Sequence, residues 1–294
     1  MSDQSTFHNA KFSLPFAVLL LTYNEEANIG RTLAALHWVP RILVIDSGST
    51  DSTLDILSVQ PMVTVLQRNF DSFADQCNFG LDQINAEWVL SLDADYVVTP
   101  ALAEEICTCF YSCKSKLYAG FEIPFRYCID GKPLRGTLLP PRICLYRTVG
   151  ARYRNDGHGH RIDVTGKVGL LRHPILHDDR KPLERWLISQ QRYLAIETRK
   201  LLETPWGQLS VADRLRLKTP LAPLAALLLC LFVNGGILDG WQGWTYAFQR
   251  CYAEILLKLM LLEARARRRD RDPQVSDQLM GLRSPKISGQ GFLP

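Results

Sequence analysis

The sequence predicts an α/β fold: a mixed, mainly parallel sheet with helices on both faces, followed by a C-terminal helical appendage. Two observations lead to this prediction. In the first 125 residues, apolar runs of strand length alternate with segments of helical spacing, and strands separated by helices form parallel βαβ units. Beyond residue 210, an apolar and basic stretch again has helical periodicity.

Residues 16–112 are predicted to form four strands that alternate with four helices. The strand-like runs are almost continuously apolar, which is typical of strands covered on both faces. Asn24 is predicted to cap the first helix, Ser49 to Asp51 to open the second, and Pro100 to occupy the first turn of the fourth. In chain order we predict strand 16–21, helix 27–36, strand 41–46, helix 49–58, strand 63–67, helix 73–84, strand 88–92 and helix 100–112.

The next part is predicted to complete the sheet. Residues 120–129 and 143–146 have strand character, and Asp130-Gly131 is a hairpin turn signal. Residues 155–161 (NDGHGHR) show no periodicity and predict a loop, whereas 183–202 predicts a helix after a proline.

Length and charge limit the class of protein. The chain has 294 residues with 47% hydrophobic content, too apolar for a disordered protein. Its net charge is +4, and the segment 211–272, with ten basic and six acidic residues, carries the whole excess. A balanced remainder does not favour nucleic-acid binding. We predict a domain at 14–210, a helical hairpin at 211–272 and a flexible tail at 273–294.

The sequence of the segment 211–272 is compatible with contact with protein or with a membrane. Residues 219–238 are uncharged, and 20 residues is the length of a membrane-spanning helix, but prolines and glycines interrupt the run. Residues 246–269 predict a second helix with one apolar stripe. The pair could pack on the domain or form a homodimer, lie on an anionic membrane surface, or span the membrane.

The cysteines and the first residues predict a reducing location. Eight cysteines occur without a CxxC pair, and residues 1–14 are polar without a signal-peptide pattern. We therefore expect a cytoplasmic protein, peripheral at the inner face of the cytoplasmic membrane.

The strongest chemical signal is an acidic pair. Asp93 and Asp95 directly follow a buried strand and can hold a divalent cation together with a diphosphate. An isolated Asp-x-Asp is weak evidence, because helix caps and chance produce many. Two further segments follow predicted strands, at 22–26 and 46–51, and parallel strands bring such ends to one crevice.

These segments contain residues suited to a nucleotide. Asp46 can accept a hydrogen bond from a base, Tyr23 can stack on a base or ribose, and Gly48 permits close approach. Helix capping is an equally plausible role for Asn24 and Glu25, and the favoured one for Asp51.

The motifs TYNEEANI (22–29), VIDSGSTDST (44–53) and LSLDADY (90–96), in this order, resemble family 2 glycosyltransferases with a GT-A fold. The resemblance covers roughly residues 14–180. The run 174–177 (PILH), followed by a helix, is similar to the branch that contains lipopolysaccharide-core glucosyltransferases. Ser47 stands where many relatives have Asp, and Tyr96 where this branch often has Glu.

The resemblance implies a role for each matching residue. A divalent cation, Mg²⁺ or Mn²⁺, is expected at Asp95, with Asp93 and His177 as further ligands. Asp93 could instead contact ribose, and His177 could make only a structural hydrogen bond. The implied nucleotide-sugar site comprises Thr22, Tyr23, Asn24, Glu25, Asp46, Gly48, Asp93 and Ala94.

The resemblance also implies inversion at the anomeric carbon, as is general in family 2 enzymes, and inversion requires a base for the acceptor hydroxyl. Asp156 is the first candidate and His158 the second, although both could serve only to order their loop or to bind the acceptor. Four arginines could grip diphosphate or an anionic acceptor: Arg135, Arg142, Arg154 and Arg161.

The sequence thus predicts a metal-dependent, inverting transferase that moves a sugar from a nucleotide sugar, first of all a UDP-sugar, to a hydroxyl of a cell-envelope glycan or lipid-linked saccharide. Two alternatives are a non-catalytic nucleotide-sugar-binding protein and a nucleotidyltransferase. A nucleotidyltransferase usually has a Gly-rich phosphate loop and a Lys after the first strand, and residues 22–30 of this chain contain neither.

Overall fold

The structure is a computed structural model that describes residues 15–112, 114–156 and 159–271. The strands are β1 Phe16–Thr22, β2 Ile42–Asp46, β3 Val63–Gln67, β4 Trp88–Asp93, β5 Tyr96–Val98, β6 Gly120–Ile123, β7 Phe125–Ile129, β8 Lys132–Pro133, β9 Arg142–Arg147, β10 Arg152–Asp156, β11 Gly159–Asp163, β12 Val168–Leu170 and β13 Ile175–His177. The α-helices are α1 Ile29–Ala34, α2 Thr53–Ser58, α3 Phe73–Gln83, α4 Pro100–Tyr111, α5 Leu183–Glu203, α6 Val211–Lys218, α7 Ala222–Leu228 and α8 Trp241–Arg271.

The predicted fold class is confirmed by the central sheet. Its seven strands have the order β12-β6-β9-β4-β1-β2-β3. Strands β1 to β4 are all parallel to their neighbours within this group, while β9 runs antiparallel to both β4 and β6. A four-stranded sheet of order β5-β13-β7-β8 and the β10-β11 hairpin complete the β structure of the described residues.

Both faces of the sheet are covered. On one face, Leu33 of α1, Leu57 of α2 and Leu102 of α4 are buried in a core with the side chains of β1, β2 and β4. On the other face, Cys77 of α3 packs in a second core with the β10-β11 hairpin. Continuous apolar runs in β1 and β2 are therefore required, because each strand must bury side chains on both sides.

Residues 120–129 form two strands, where the sequence predicted one. The run is divided at Pro124, which lacks an amide hydrogen and cannot donate to a sheet. Strand β6 belongs to the central sheet and β7 to the smaller one. The predicted hairpin turn is confirmed: Asp130 and Gly131 have φ of 52° and 74°, and β7 pairs antiparallel with β8.

The first two helices begin later than predicted, and the prediction of Asn24 as a helix cap is wrong. Helix α1 begins at Ile29 with Asn28 as its N-cap. Asn24 has a left-handed backbone (φ 54°), and its side chain binds the next loop instead. Helix α2 begins at Thr53, and the Asp51 carboxylate accepts the Thr53 N–H at 3.0 Å.

Within the predicted loop at 155–161, residues 155–156 instead belong to β10 and residues 159–161 to β11. Tyr153 and Ile162 are paired across these two strands, and both are buried in the α3-side core. This tertiary packing selects the strands in a segment whose local sequence has no periodicity. Gly157 and His158 lie outside the described residues.

The C-terminal part of the described residues is helical, as the predicted fold class requires. Helices α7 and α8 pack against each other, joined by a π-helical turn at Leu229–Val233 and a 3-10 turn at Gly236–Asp239. Helix α8 is 31 residues long, extending the prediction at both ends. The hairpin docks on the β8 side, where Asp239 accepts the Arg135 N–H at 2.7 Å. Among the described residues, no helix has the length and apolarity to cross a bilayer. The predicted tail at 273–294 lies outside them.

Candidate active site

The three sequence motifs meet at one edge of the central sheet. Thr22 at the end of β1 is in register with Asp46 at the end of β2, and Leu21 is in register with Asp93 at the end of β4. Adjacent parallel strands therefore place all three carboxyl ends side by side, as predicted. This edge is where ligands bind in open α/β sheets.

Asp46 is fully buried and holds the loop after β2. Its Oδ1 accepts the N–H groups of Gly48 and Ser49, each at 2.9 Å. Its Oδ2 accepts the hydroxyls of Thr22 at 2.9 Å and Ser49 at 2.5 Å. Gly48 has φ of 89°, a conformation in which a side chain is strained. Because donors of the chain engage both carboxylate oxygens, a nucleobase would have to share or replace one of them.

The loop after β1 is tied to the loop after β2. The Asn24 side chain accepts the Thr50 N–H at 2.8 Å, and the Asn24 N–H donates to the Ser49 hydroxyl at 2.9 Å. These bonds fix the backbone directly after Tyr23, a residue that remains 52% exposed. An exposed ring on a fixed backbone suits the stacking role that the sequence suggested for Tyr23.

Asp95 forms an ion pair with His177. The Asp95 Oδ2 lies 3.0 Å from His177 Nε2, because β13 pairs antiparallel with β5 and places His177 opposite Tyr96. Burial alone would raise the pKa of Asp95, but the charge and hydrogen bond of His177, together with the charge of Lys181 and a backbone hydrogen bond, outweigh burial and lower it. Burial likewise opposes the charge of His177, yet Asp95 raises the pKa of the imidazole above its usual value.

The acidic pair fits a divalent cation of the kind that also takes phosphate ligands. The described residues contain no group of three or more His, Cys, Asp or Glu side chains arranged to enclose a metal. Asp93 and Asp95 instead offer hard oxygen ligands, and the ring Nδ1 of His177 is buried without a hydrogen-bond partner. Mg²⁺ is commonly held by one or two carboxylates with water and phosphate completing its shell. Such an open site suits a cation that arrives with a diphosphate.

A second buried ion pair, which the sequence analysis missed, lies beside the first. The Lys181 ammonium is paired with the Glu25 carboxylate. Asn28 links Glu25 to the chain after β13, since its amide donates to Glu25 at 2.8 Å and to Asp179 at 2.9 Å. Burial raises the pKa of Glu25 to about 7, although Lys181 opposes the shift. The available signal was the charged run 178–181 (DDRK) directly after His177.

Helix α5 closes one side of the crevice. Its Tyr193 is surrounded by charge: burial, and then Asp93, raise the pKa of the phenol. The neighbouring charges of Lys181 and Asp95 also act on Tyr193. Near its other end, α5 places the Lys200 ammonium 2.8 Å from Asp156. The helix thus connects the acidic crevice with the β10-β11 hairpin.

Of the two candidate bases, the structure describes Asp156 but not His158. Asp156 is half-exposed at the end of β10, and its hydrogen bond to Lys200 lowers its pKa. His158 lies outside the described residues. The nearby His160, in contrast, packs its ring 5.1 Å from that of Tyr153. Burial lowers the pKa of His160, and the charge of Asp93 opposes this shift, so His160 belongs to the crevice.

The four predicted arginines lie in different surroundings. The charge of Arg142 acts on His160 and on Tyr96. Arg135 is paired with Asp239 of the hairpin turn, and Arg154 with Asp163 of β11. The charge of Arg161 acts on Asp156.

Comparison with known proteins finds similarity in the part of the chain that contains the three motifs. Residues 17–111 match the family model described as Glycosyl transferase family 2. The predicted resemblance to family 2 glycosyltransferases is confirmed. An uncharacterized glycosyltransferase, RP128 of Rickettsia prowazekii, is 24% identical over 82% of this chain and 84% of its own length. The lipopolysaccharide core biosynthesis glycosyltransferase LpsC of Rhizobium meliloti is 30% identical over 31% of this chain and 35% of its own length. A crystal structure of S. aureus TarS in complex with UDP-GlcNAc superposes with a TM-score of 0.46 at 14% identity, covering 86% of this chain and 92% of that one.

Proposed function

We propose that this family 2 glycosyltransferase transfers a sugar from a UDP-sugar to a hydroxyl of a cell-envelope glycan or lipid-linked saccharide, with a divalent cation and inversion at the anomeric carbon. The observation that carries the proposal is the meeting of Asp46, Asp93 and the Asp95–His177 pair at the carboxyl edge of the sheet. The glycan acceptor is supported by the name of LpsC, which matches over part of the chain. Residues 14–210 would be the catalytic unit and 211–272 the appendage.

The nucleotide part of the donor would lie over the loops after β1 and β2. Tyr23 offers its exposed ring for stacking. No atom lies within 4 Å of the position that a Cβ atom would take at Gly48, so this side of the loop is open to a nucleotide. Asp46 would act mainly through the loop that it holds. The remaining residues of the proposed donor site are Thr22, Asn24, Glu25, Asp93 and Ala94.

The diphosphate would lie beside Asp95, where Asp95 and Asp93 would hold Mg²⁺ or Mn²⁺. His177 would be a further ligand once its imidazolium has released a proton, because only the neutral ring can bind a metal. A cation there neutralises the charge that develops on the leaving diphosphate. The Lys181 ammonium would also offset negative charge on the diphosphate. Burial lowers its pKa, but the charges of Glu25 and Asp179 outweigh burial and keep the ammonium protonated.

The acceptor hydroxyl would be deprotonated from the side of the β10-β11 hairpin. Asp156 remains the first candidate and His158 the second. Lys200 lowers the pKa of Asp156 and keeps it ionised. Because a general base works best with a pKa near the working pH, Asp156 would have to exchange its contact with Lys200 for one with the acceptor hydroxyl. Asp156→Asn should lower kcat by about 10²- to 10⁴-fold with a small change in KM. Asp163→Asn, on the same hairpin, is the matched control and should keep wild-type kcat.

The function is tested with a donor panel. Purified protein is incubated with UDP-, GDP- and CMP-sugars, with Mn²⁺, Mg²⁺ or EDTA, and released nucleotide is measured. We expect hydrolysis or transfer with one donor class, abolished by EDTA and restored by Mn²⁺. Tight donor binding with no turnover on any glycan acceptor would contradict the proposal and favour a binding protein. Full activity in EDTA would contradict the metal requirement.

A further inference from the structure

The α7-α8 hairpin has an exposed face without polar side chains. Between residues 221 and 262, every residue of the exposed class is apolar, aromatic, alanine or glycine. The large ones come from both helices and the turn between them: Leu221, Leu224, Leu228, Leu229, Phe232, Val233, Ile237, Leu238, Trp241, Trp244, Phe248, Tyr252, Ile255, Leu259 and Leu262. We call this set the apolar face.

The apolar face follows the geometry of α8. Its α8 members recur every three or four residues from Trp241 to Leu262, so they form one stripe along the helix. At 1.5 Å per residue the stripe is about 32 Å long. Apolar areas of this extent are rare on the surface of soluble monomers and mark interaction sites.

Two charged residues of α8 that lie within the length of the stripe contact the rest of the protein. Glu254 pairs with Arg216 of α6 at 2.5 Å, and the Lys258 ammonium donates to the Arg216 carbonyl at 2.8 Å. On the same side, Leu257 and Leu261 are buried in a core with α5 and α6. Over the length of the stripe, α8 therefore holds these two charges in contacts with α6 and exposes apolar side chains, the reverse of an ordinary surface helix.

Basic side chains border the apolar face at both ends. Lys218, Arg267 and Arg268 are exposed where α7 begins and α8 ends, and Glu263 pairs with Arg267 there. At the other end, Lys132 and Arg135 are exposed beside the turn, where Arg135 pairs with Asp239. An open cleft of about 510 Å³ lies at the first end. Its lining combines Lys218 and Arg265 with Trp206 and the apolar residues Leu201, Leu202, Leu209 and Leu217.

We propose that the apolar face docks into the surface of an anionic lipid bilayer, with the hairpin lying in the interface and its basic borders on the lipid phosphates. Tryptophans at one end of the stripe suit the headgroup level, and a basic border gains from anionic lipid. A second copy of the chain would bring an equally basic border against this one, which disfavours a dimer through the same face. This inference does not depend on the chemistry of the crevice.

The proposal is tested by flotation of the full chain with vesicles of phosphatidylcholine, with and without 30 mol% phosphatidylglycerol, a fraction of about one third chosen to give a clear negative surface potential. The variant Phe248→Glu/Leu259→Glu puts two charges into the apolar face. The matched control is Val149→Glu, because Val149 is 87% exposed and lies in the β9-β10 turn, outside the apolar face.

We expect the wild type and Val149→Glu to float with anionic vesicles, and Phe248→Glu/Leu259→Glu to lose at least about tenfold in partitioning. Lys218→Gln/Arg268→Gln should weaken binding to anionic vesicles only. Equal binding to both vesicle types, or flotation of Phe248→Glu/Leu259→Glu like the wild type, would overturn the proposal. So would a wild-type dimer that this variant dissociates while neither protein floats. Thermal unfolding checks that each variant is folded, and donor turnover in solution separates this result from the proposed function.

Discussion

The crevice and the apolar face depart from the usual distribution of polar and apolar residues in opposite directions. In the crevice, charged groups are buried and paired, as Asp95 with His177 and Glu25 with Lys181. On the apolar face, large side chains such as Phe248 and Leu259 are exposed by more than half. Buried charge and exposed apolar area both lower stability, so their presence indicates that each region has a use outside folding. The two regions should then respond independently to mutation.

The largest expected effect separates the two regions. Asp95→Ala should lower metal-stimulated donor hydrolysis by about 10³-fold, because charge on the leaving diphosphate would no longer be stabilised. Vesicle flotation of this variant should equal that of the wild type. Asp82→Ala, which removes an exposed carboxylate paired with Arg152, is the control for activity. A joint loss of activity and flotation would show that the regions are not independent.

The next effect distinguishes the two sides of α8. Leu257 is 3% exposed and Leu259 is 58% exposed, although both lie on the same helix. Leu257→Ala should lower the free energy of unfolding by about 2–5 kcal/mol, because it leaves a cavity. Leu259→Ala should change it by less than about 0.5 kcal/mol and act on vesicle binding only. Urea unfolding measures both, and similar losses for the two variants would contradict the assigned orientation of α8.

A smaller effect concerns charge buried in the crevice. The pKa of Glu25 is raised to about 7 from 4.5, so between these values the folded state holds a proton that the unfolded state has released. Stability therefore falls as pH rises through this window, by about 2–3 kcal/mol from this group. Glu25→Gln should remove that part of the slope. Urea unfolding in EDTA at pH 5 and pH 7.5 measures it, and identical slopes for the two proteins would contradict the burial of Glu25.

The smallest effect lies beyond the end of the apolar face. Glu263 and Arg267 form a pair at 2.6 Å, with side chains 61% and 72% exposed. Solvent screening makes such a pair worth little, so Glu263→Gln should change stability by less than about 0.5 kcal/mol. Chemical denaturation suffices for this measurement. A loss above about 1 kcal/mol would show that this end of α8 has contacts beyond the pair.

The strands that the sequence predicted well are determined by the residues within and directly beside them. Strand β3 coincides with its prediction at 63–67, and β1, β2 and β4 differ by one residue, because their apolar runs are bounded by polar loops. The site followed from the same property: strands predicted correctly place Asp46 and Asp93 at one edge without further information.

The parts that the sequence could not predict depend on long-range contacts. Asn24 binds Thr50, so its left-handed backbone follows from a partner 26 residues away. The Glu25–Lys181 pair joins residues 156 positions apart. The hairpin at 152–163 forms because Tyr153 and Ile162 pack on the α3 side of the sheet. None of these partners can be identified from local spacing alone.

The central claim is that the crevice binds a nucleotide together with a metal through Asp95. Titration calorimetry of UDP into the wild type and Asp95→Ala, each with Mn²⁺ and with EDTA, tests it most directly. We expect Mn²⁺ to tighten UDP binding by at least about tenfold in the wild type, equivalent to about 1.4 kcal/mol, and to have no effect on Asp95→Ala. Equal affinities with Mn²⁺ and EDTA in the wild type, or the same Mn²⁺ dependence in both proteins, would contradict the claim.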